Sequence, residues 1–399
     1  MNIPKIRSLS GGANQSGLRD YNERLLLSML LRSGPMPGSD LARLAGLSPQ
    51  TVSVILRKLE NSGLLEKGAP KRGKVGKPSV PMALAPKGVL SFGMKIGRRN
   101  ADLMLMGFTG DIFDQISIDY AYPMPDIIFE FLKNGLSSLS ENLSAEEKSR
   151  ICGIGLATPF ELWNWYDVAS TPPEEFMSWK EIDYVDEIGN FSDLPVYVIN
   201  DATAACKAEH VYGRGKEFRD YAYFFIAAFV GGGVVLNHSV FEGHQGNAGA
   251  LGSLRSIGPN GESRQLIDIA SLHLLEKRLE QVDINPQILW KQPQDWSNIS
   301  RYVDHWLGQT AQELAKAALS TCSVIDFEAI VIDGAFPREV RDELVERTTR
   351  YLANQDTRGL IPPLVEAGSI GGNARAIGAA SGPIFSQFLL NTNLGLAQV

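Results

Sequence analysis

Residues 39–63 read SDLARLAGLSPQTVSVILRKLENSG. Two helical periods lie in this stretch, separated by Gly46, which allows a tight turn. In the first period Ser39 is placed to cap a short helix whose Leu41, Leu44 and Ala45 face inward. In the second, Ser48 caps and Pro49 takes the first helical position, where a missing N–H costs nothing. Val52, Ile55, Leu56 and Leu59 recur at helical intervals and form the buried stripe. Gly63 ends the helix, and Gln50, Thr51, Ser53, Arg57 and Lys58 fall off the stripe. Two short helices joined by a glycine turn, the second with small polar groups at its start, make a helix-turn-helix. The second helix of that motif enters a DNA major groove with its first turn nearest the base edges. Gln50, Thr51 and Ser53 are short enough for close approach, and Ser48 joins them at the helix start. Arg57 and Lys58 are placed for phosphates, which position a protein without reading sequence.

Outward from this stretch the same reading holds. Upstream, RDYNERLLLSMLLRSG (19–34) is helical, with Leu26, Met29, Leu30 and Ser33 on one spacing and Gly34-Pro35 as a stop. Residues 1–18 read as a loose polar arm. Downstream, the apolar strands Leu64–Glu66 and Val80–Leu84 flank a basic loop carrying Lys71, Arg72, Lys74 and Lys77. That loop is a wing, and its Gly76-Lys77-Pro78 is similar to short hooks that enter minor grooves. Residues 19–86 therefore form a winged helix-turn-helix domain.

Charge agrees. The chain carries −7 overall, but residues 1–86 carry +8 and the remainder −15. A basic head on an acidic body fits a double-stranded DNA operator as partner of the head alone. One recognition helix reads too few base pairs for useful specificity, so a homo-oligomer, dimer or tetramer, is expected. The 399 residues exceed one hydrophobic core. No apolar run approaches the ~20 residues of a membrane span, and the first residues lack the apolar segment of a secretory signal. Cys152, Cys206 and Cys322 are odd in number and far apart, which favours buried thiols in a cytoplasmic protein over disulfides or zinc.

After Pro86 the pattern becomes that of an α/β body. Strands are expected in LSFGMKIG, ADLMLMGF and DIFDQISI, then in the apolar runs ICGIGLAT and LPVYVIND. YAYFFIAA, GGVVLNHS and EAIVIDG continue the series, with helices around Arg264–Glu280, Ile299–Cys322, from Pro337, and in NARAIGAASGPIF. Two lobes are expected, 87–200 and 201–399, with the last helix assigned either to the second lobe or back to the first. Gly231–Gly233 reads as a turn, Trp163 and Trp165 as packing residues, and Asn200-Asp201 as either a helix cap or a ligand contact. His244 is the histidine to watch.

The motifs LARLAGLSPQTVSVILRKLENSGLL (41–65), GIGLATPF (153–160), VINDATAACKAEHVYG (198–213), VGGGVVLNHSVFEGHQGNAGALGS (230–253) and IGGNARAIGAA (370–380) together resemble the ROK family of repressors and sugar kinases. The resemblance implies an actin-like, sugar-kinase-like body behind the winged head, with a sugar or sugar-derivative effector bound by Asn200, Asp201, Gly246, Asn247 and Gly249. It also exposes departures. The family's kinases open the body with an Asp-x-Gly-Gly-Thr phosphate loop; here GMKIGRRN (93–100) puts Lys95 at the Asp position and Arg98-Arg99 in the loop. Ala227-Ala228-Phe229 stands where a second phosphate loop belongs. Gly249–Ser253 (GALGS) lacks the family's sugar-binding Glu and His, Ile267 falls near its last sugar-binding Glu, and the zinc-binding cysteines are missing from SIGPNGESRQLI (256–267). The expectation is a transcription regulator, not an enzyme, with no cofactor and no metal. The alternatives are a sugar kinase with an accessory head, and a constitutive DNA-binding dimer whose body only oligomerises. Sensing is expected at a hinge between lobes, with Asn200-Asp201 on one side and Gly246–Ser253 on the other.

Overall fold

The computed structural model describes residues 15–69, 80–165, 177–257 and 261–390. These fall into two compact units. The first holds the described residues up to Ala157, Glu161–Val198 and those from Ala379 onward; the second holds Thr158–Phe160 and Ile199–Gly378.

The first unit begins with helix α1 (Gln15–Ser33), strand β1 (Met36–Pro37), helices α2 (Gly38–Ala45) and α3 (Pro49–Asn61), and strands β2 (Leu65–Lys67) and β3 (Pro81–Leu84). The three strands form a small antiparallel sheet in the order β1-β3-β2. Gly46 sits at φ 64° between α2 and α3, and Gly63, at φ 72°, lets the Leu64 N–H reach back to the Leu59 carbonyl at 2.9 Å. Val52, Ile55, Leu56 and Leu59 are all buried.

Several details differ from the sequence reading. Residues 15–18 belong to α1 rather than to an arm. Helix α1 is buried around much of its circumference, through Leu25, Leu26, Leu27, Met29 and Leu30, and even Glu23 and Arg24 are enclosed. Ser39 lies inside α2 and does not cap it; Pro37 holds the N-cap position with no side-chain bond. Starting α2 at Gly38 turns Leu41 and Ala42 inward, whereas Leu44 is 42% exposed.

The body sheet of the first unit starts with the antiparallel meander β4 (Leu90–Ile96), β5 (Asn100–Gly107) and β6 (Ile112–Asp119). Helices α4 (Pro125–Ser140) and α5 (Ala145–Ser149) lead to β7 (Ile151–Thr158), parallel to β4; α6 (Tyr184–Gly189) precedes β8 (Val196–Asn200). The order is β6-β5-β4-β7-β8. Strands β4, β5 and β7 are buried along almost their whole length, which explains their unbroken apolar runs. Phe92, Leu103, Leu132, Ile154 and Trp179 share one core.

The second unit contains α7 (Asp201–Tyr212), β9 (Tyr221–Ile226), β10 (Val230–Leu236) and β11 (Ser239–Phe241), then the hairpin β12 (Arg255–Ile257) and β13 (Ser263–Gln265). Helices α8 (Ile267–Ala270), α9 (Leu272–Glu280) and α10 (Ser300–Cys322) follow, then β14 (Ala329–Gly334), α11 (Arg338–Leu352) and β15 (Leu364–Ala367). The sheet order is β11-β10-β9-β14-β15, antiparallel on one side of β9 and parallel on the other. The helix expected over Arg264–Glu280 is broken at Ser271. That residue is extended, and its Oγ donates to the Ile267 carbonyl (2.6 Å) while accepting the Val230 N–H (2.9 Å). Gly231–Gly233 lies within β10, not in a turn. A Cβ on Gly231 or Gly233 would strike Ala202 or Cys206, so the glycines let α7 lie close on the strand.

The last helix, α12 (Ala374–Phe388), starts in the second unit and continues into the first. Two glycines seat it. A Cβ on Gly378 would overlap the Ala204 carbonyl of α7, and a Cβ on Gly155 of β7 would overlap the Ala379 carbonyl. Backbone cannot rotate aside as a side chain can. Gly155→Ala is therefore expected to destabilise the chain by about 1–3 kcal/mol, typical of overpacking. A urea midpoint equal to the parent's would refute this seating of α12.

Candidate nucleic-acid interface and ligand site

Helix α3 presents its first turn to solvent. Ser48 Oγ accepts the Thr51 N–H at 3.1 Å and lies 2.8 Å from Thr51 Oγ1, so one hydroxyl both caps the helix and holds its neighbour's. Ser48, Gln50, Thr51, Ser53, Arg57 and Lys58 are all exposed. Lys58 is not free, since its Nζ lies 2.5 Å from Glu23 Oε1 on α1. Arg57 has no hydrogen-bonding or ionic partner among the described residues, which makes it the unpaired cation of this face. Lys71, Arg72, Lys74 and Lys77, expected in the wing, lie outside the described residues. Val54, which the sequence reading passed over, is 59% exposed.

The helix-turn-helix is tied down at two points within its unit. Arg24 of α1, 4% exposed, donates from Nη1 to the carbonyls of Ser386 (3.1 Å) and Leu389 (3.5 Å) at the end of α12. The Leu390 N–H donates to Ser28 Oγ at 3.0 Å. At the end of α3, Arg150 Nη1 donates to the carbonyls of Ser62, Gly63 and Gly88 at 3.2–3.4 Å.

The residues expected at the ligand site lie together in the second unit, which corrects their assignment to opposite sides of a hinge. Asn200 caps α7: its Oδ1 accepts the N–H groups of Ala202 (3.1 Å) and Thr203 (3.0 Å). Asp201 Oδ2 pairs with Arg375 Nη1 of α12 at 3.4 Å, both side chains largely buried. Arg375 also lies over the Phe225 ring, 5.5 Å from its centroid. Its Nε is buried with no partner among the described residues. The sequence reading quoted Arg375 inside a motif without assigning it a role. The one signal was a lone arginine in a Gly/Ala-rich run, which only burial distinguishes from a surface cation.

Gly246 (φ 69°) and Gly249 (φ 78°) hold left-handed turns, and a Cβ on Gly249 would strike the backbone of Gly233. Ala202 abuts Gly231 of the same strand. The N-terminus of α7 and the 246–249 loop, with half-buried Asn247, thus meet β10 two residues apart. His244 is exposed on this loop.

The positions expected to depart from the kinases' phosphate loops have partners of their own. Lys95 is 3% exposed; its Nζ reaches Asn100 Oδ1 at 2.6 Å and Asp102 Oδ2 at 3.2 Å, and Ser117 donates to Asp102 at 2.7 Å. The Phe229 ring lies tilted against His273, with ring centroids 5.3 Å apart. Among the described residues no group of three or more His, Cys, Asp or Glu is arranged to hold a metal ion, and no helix is long and apolar enough to cross a membrane. The three cysteines are free and buried, and burial pushes the Cys152 thiol up to about 12.

Two buried carboxylates clamp the loop that enters α12. Glu209 accepts the N–H groups of Ser369 (2.8 Å), Ile370 (3.1 Å) and Arg214 (2.8 Å) and the Ser369 hydroxyl (3.0 Å). Asp333 accepts the Gly371 N–H at 2.8 Å, while Arg341 stands 3.7 Å away. Burial, reinforced by the nearby Glu209 charge, raises the Asp333 carboxyl to about 6.

The comparisons with known proteins agree with this architecture. The ROK family profile matches residues 91–382, and a winged helix-turn-helix DNA-binding profile matches residues 19–66. The chain belongs to the ROK family and carries an N-terminal winged helix-turn-helix. It is 24% identical to the uncharacterized protein y4fQ of Sinorhizobium fredii over 92% of this chain and 91% of that one. It is 22% identical to the xylose repressor of Bacillus subtilis over 61% of this chain, and 21% identical to the DNA-binding transcriptional dual regulator NagC of Escherichia coli over 63%. Each of those two alignments spans 62% of the relative's length. Among solved structures, a ROK family transcriptional regulator homologous to the E. coli MLC protein superposes with a TM-score of 0.64 at 17% identity, over 93% of this chain and 97% of that one. A ROK family glucokinase from Streptomyces griseus, solved with glucose and AMPPNP, gives 0.55 at 20% identity, over 73% and 98%.

The raised Asp333 value sets a sign for pH dependence. Its native carboxyl binds a proton more tightly than the unfolded one, whose value lies near 3.8. The stability it contributes is fully present below about pH 4 and is lost as pH rises through about 6. Asp333→Asn, which still accepts the Gly371 N–H, should gain stability relative to the parent between pH 4 and pH 7. A parent–variant difference in unfolding free energy that stays flat across that range would refute the assignment.

Proposed function

We propose that this chain is a sequence-specific DNA-binding regulator, a repressor of carbohydrate genes, whose body senses a sugar or sugar derivative. The observation that carries this reading is the capped, solvent-facing first turn of α3 within a winged helix-turn-helix. The names of the relatives supply the carbohydrate context. A homo-oligomer in the cytoplasm, binding paired half-sites, is the working form. Gln50, Thr51 and Ser53 read base edges, Ser48 fixes the start of the helix, and Arg57 contacts phosphate with the basic wing residues Lys71, Arg72, Lys74 and Lys77. Lys58, held by Glu23, orients α1 against α3 more than it serves DNA.

The same reading assigns no catalysis to the body. Phosphoryl transfer depends on positioned backbone donors and charge neutralisation. Lys95 is instead committed to Asp102, and Asp201 is committed to Arg375. An effector's hydroxyls at Asp201, Asn247 and the 246–249 backbone would compete with Arg375 for the carboxylate. Arg375 stands in the first turn of α12, and the last turn of α12 is bonded to Arg24 of the head. Displacing one end of a helix seated on glycines gives the ligand two unequal states to choose between.

Binding and response are separable by mutation. Arg57→Ala should weaken operator binding on all sequences and lower the salt slope by about 1, as read by fluorescence anisotropy across a salt series. Asp201→Ala should keep operator affinity and lose the effector-induced shift, for which ~5–150-fold is typical. Effector candidates come from titration calorimetry with a panel of sugars and sugar phosphates. An Asp201→Ala protein that responds as fully as the parent would place sensing elsewhere, and ATP-dependent sugar phosphorylation abolished by Asp201→Ala would overturn the regulator reading.

A further inference from the structure

The face of α3 opposite its buried stripe carries Gln50, Val54, Arg57 and Asn61, all exposed. Three of these are polar or charged. Val54 stands at the centre of the face and is 59% exposed. By helical rise it lies about 6 Å beyond Gln50 and about 4.5 Å before Arg57 along the axis. Helix stability does not account for a valine there, because a β-branched residue forms helix less well than alanine or the straight-chain polar residues. Packing among the described residues does not account for it either, given its exposure. Valine in a helix does have one strongly preferred χ1 rotamer, so its two methyls are held in a fixed direction without ordering cost at binding.

We propose that Val54 is a specificity-determining residue that recognises the 5-methyl group of a thymine in the operator's major groove. This rests on the DNA-binding reading of α3. The thymine methyl is the one apolar group that a base edge displays in the major groove, and small apolar side chains are its partners. The flanking residues fix the setting. Gln50 is one turn nearer the helix start, where base edges are approached, and Arg57 is one turn further on, where phosphate is reached. Lys58 is drawn toward Glu23, which leaves Arg57, unpaired among the described residues, as the cation beside Val54. The bond between Ser48 and Thr51 holds the first turn in place, so that the depth at which Val54 enters the groove is set by the cap.

The test uses the full chain. Selection from a random duplex library defines the preferred site, and each thymine in it is then replaced singly by uracil, which removes only the methyl. Anisotropy titrations of the parent and of Val54→Ala follow. Burying one methyl corresponds to about a four-fold change in Kd per half-site, from ~0.8 kcal/mol per methyl-sized group. The expected result is one thymine per half-site whose replacement weakens the parent by about that factor and leaves Val54→Ala unchanged. On the all-thymine site Val54→Ala should itself be weaker by the same factor. Circular dichroism of the variant should match the parent, since an exposed valine-to-alanine change costs the helix nothing. Uracil replacements that affect parent and variant alike at every position would overturn the assignment of Val54 while leaving α3 as the recognition helix. Failure to select any preferred site would overturn both.

Discussion

Helix α12 runs out of internal hydrogen-bond partners at its last turn, and Arg24 of α1 takes up the orphan carbonyls of Ser386 and Leu389. The arginine is almost wholly enclosed. Burying a guanidinium is costly unless its donors are used and its charge is answered. Here the negative end of a helix dipole provides part of that answer and Asp20, 3.5 Å away, the rest. The arrangement fixes the first helix of the winged domain to the last helix of the body. Arg150, at the end of α3, ties the head to the rest of its unit at a second place.

The other end of α12 is governed by charge as well. Glu209 and Asp333 collect the backbone N–H groups of Ser369, Ile370 and Gly371, and Arg375, one turn on, meets Asp201. Between these ends the helix is seated by missing side chains, at Gly378 against α7 and at Gly155 against β7. These close-packed backbone contacts leave α12 little room to shift against α7 or β7.

Much of this was legible in the residues. The buried stripe of α3, its Ser48 cap, the glycine turn at Gly46 and the unbroken apolar strands each follow from local rules, and the structure contains them. What was not legible was decided by tertiary contact. Leu44 faces outward because α2 starts at Gly38, a choice set by packing and not by the Ser39 cap signal. Gly231–Gly233 resembles a turn in sequence, but its glycines make room for Ala202 and Cys206 in the middle of a strand. The helix expected over Arg264–Glu280 breaks because Ser271 spends its hydroxyl on the β10 backbone. Asn200 was readable as a cap, whereas the partnership of Asp201 with a residue 174 positions away was not.

The ion pairs of the body bear on the demands that the fold's two kinds of member make. A kinase needs its phosphate cradle and its acidic base open until substrate arrives, so those groups must be left unsatisfied in the resting protein. A regulator needs a body that is stable with or without its effector and that holds its head in a defined place. In this chain Lys95 is paired with Asp102, and Asp201 with Arg375. Breaking a buried pair by removing one partner costs roughly 3–5 kcal/mol, because it leaves an uncompensated charge. The pair at Asp201, whose carboxylate side chain is 20% exposed, costs less to disturb than the nearly inaccessible Lys95, since water can reach that carboxylate. A ligand able to supply hydroxyl donors lowers that cost further. Of the two pairs, the one at Asp201 is the more accessible to solvent, while the one at Lys95 joins β4 to β5.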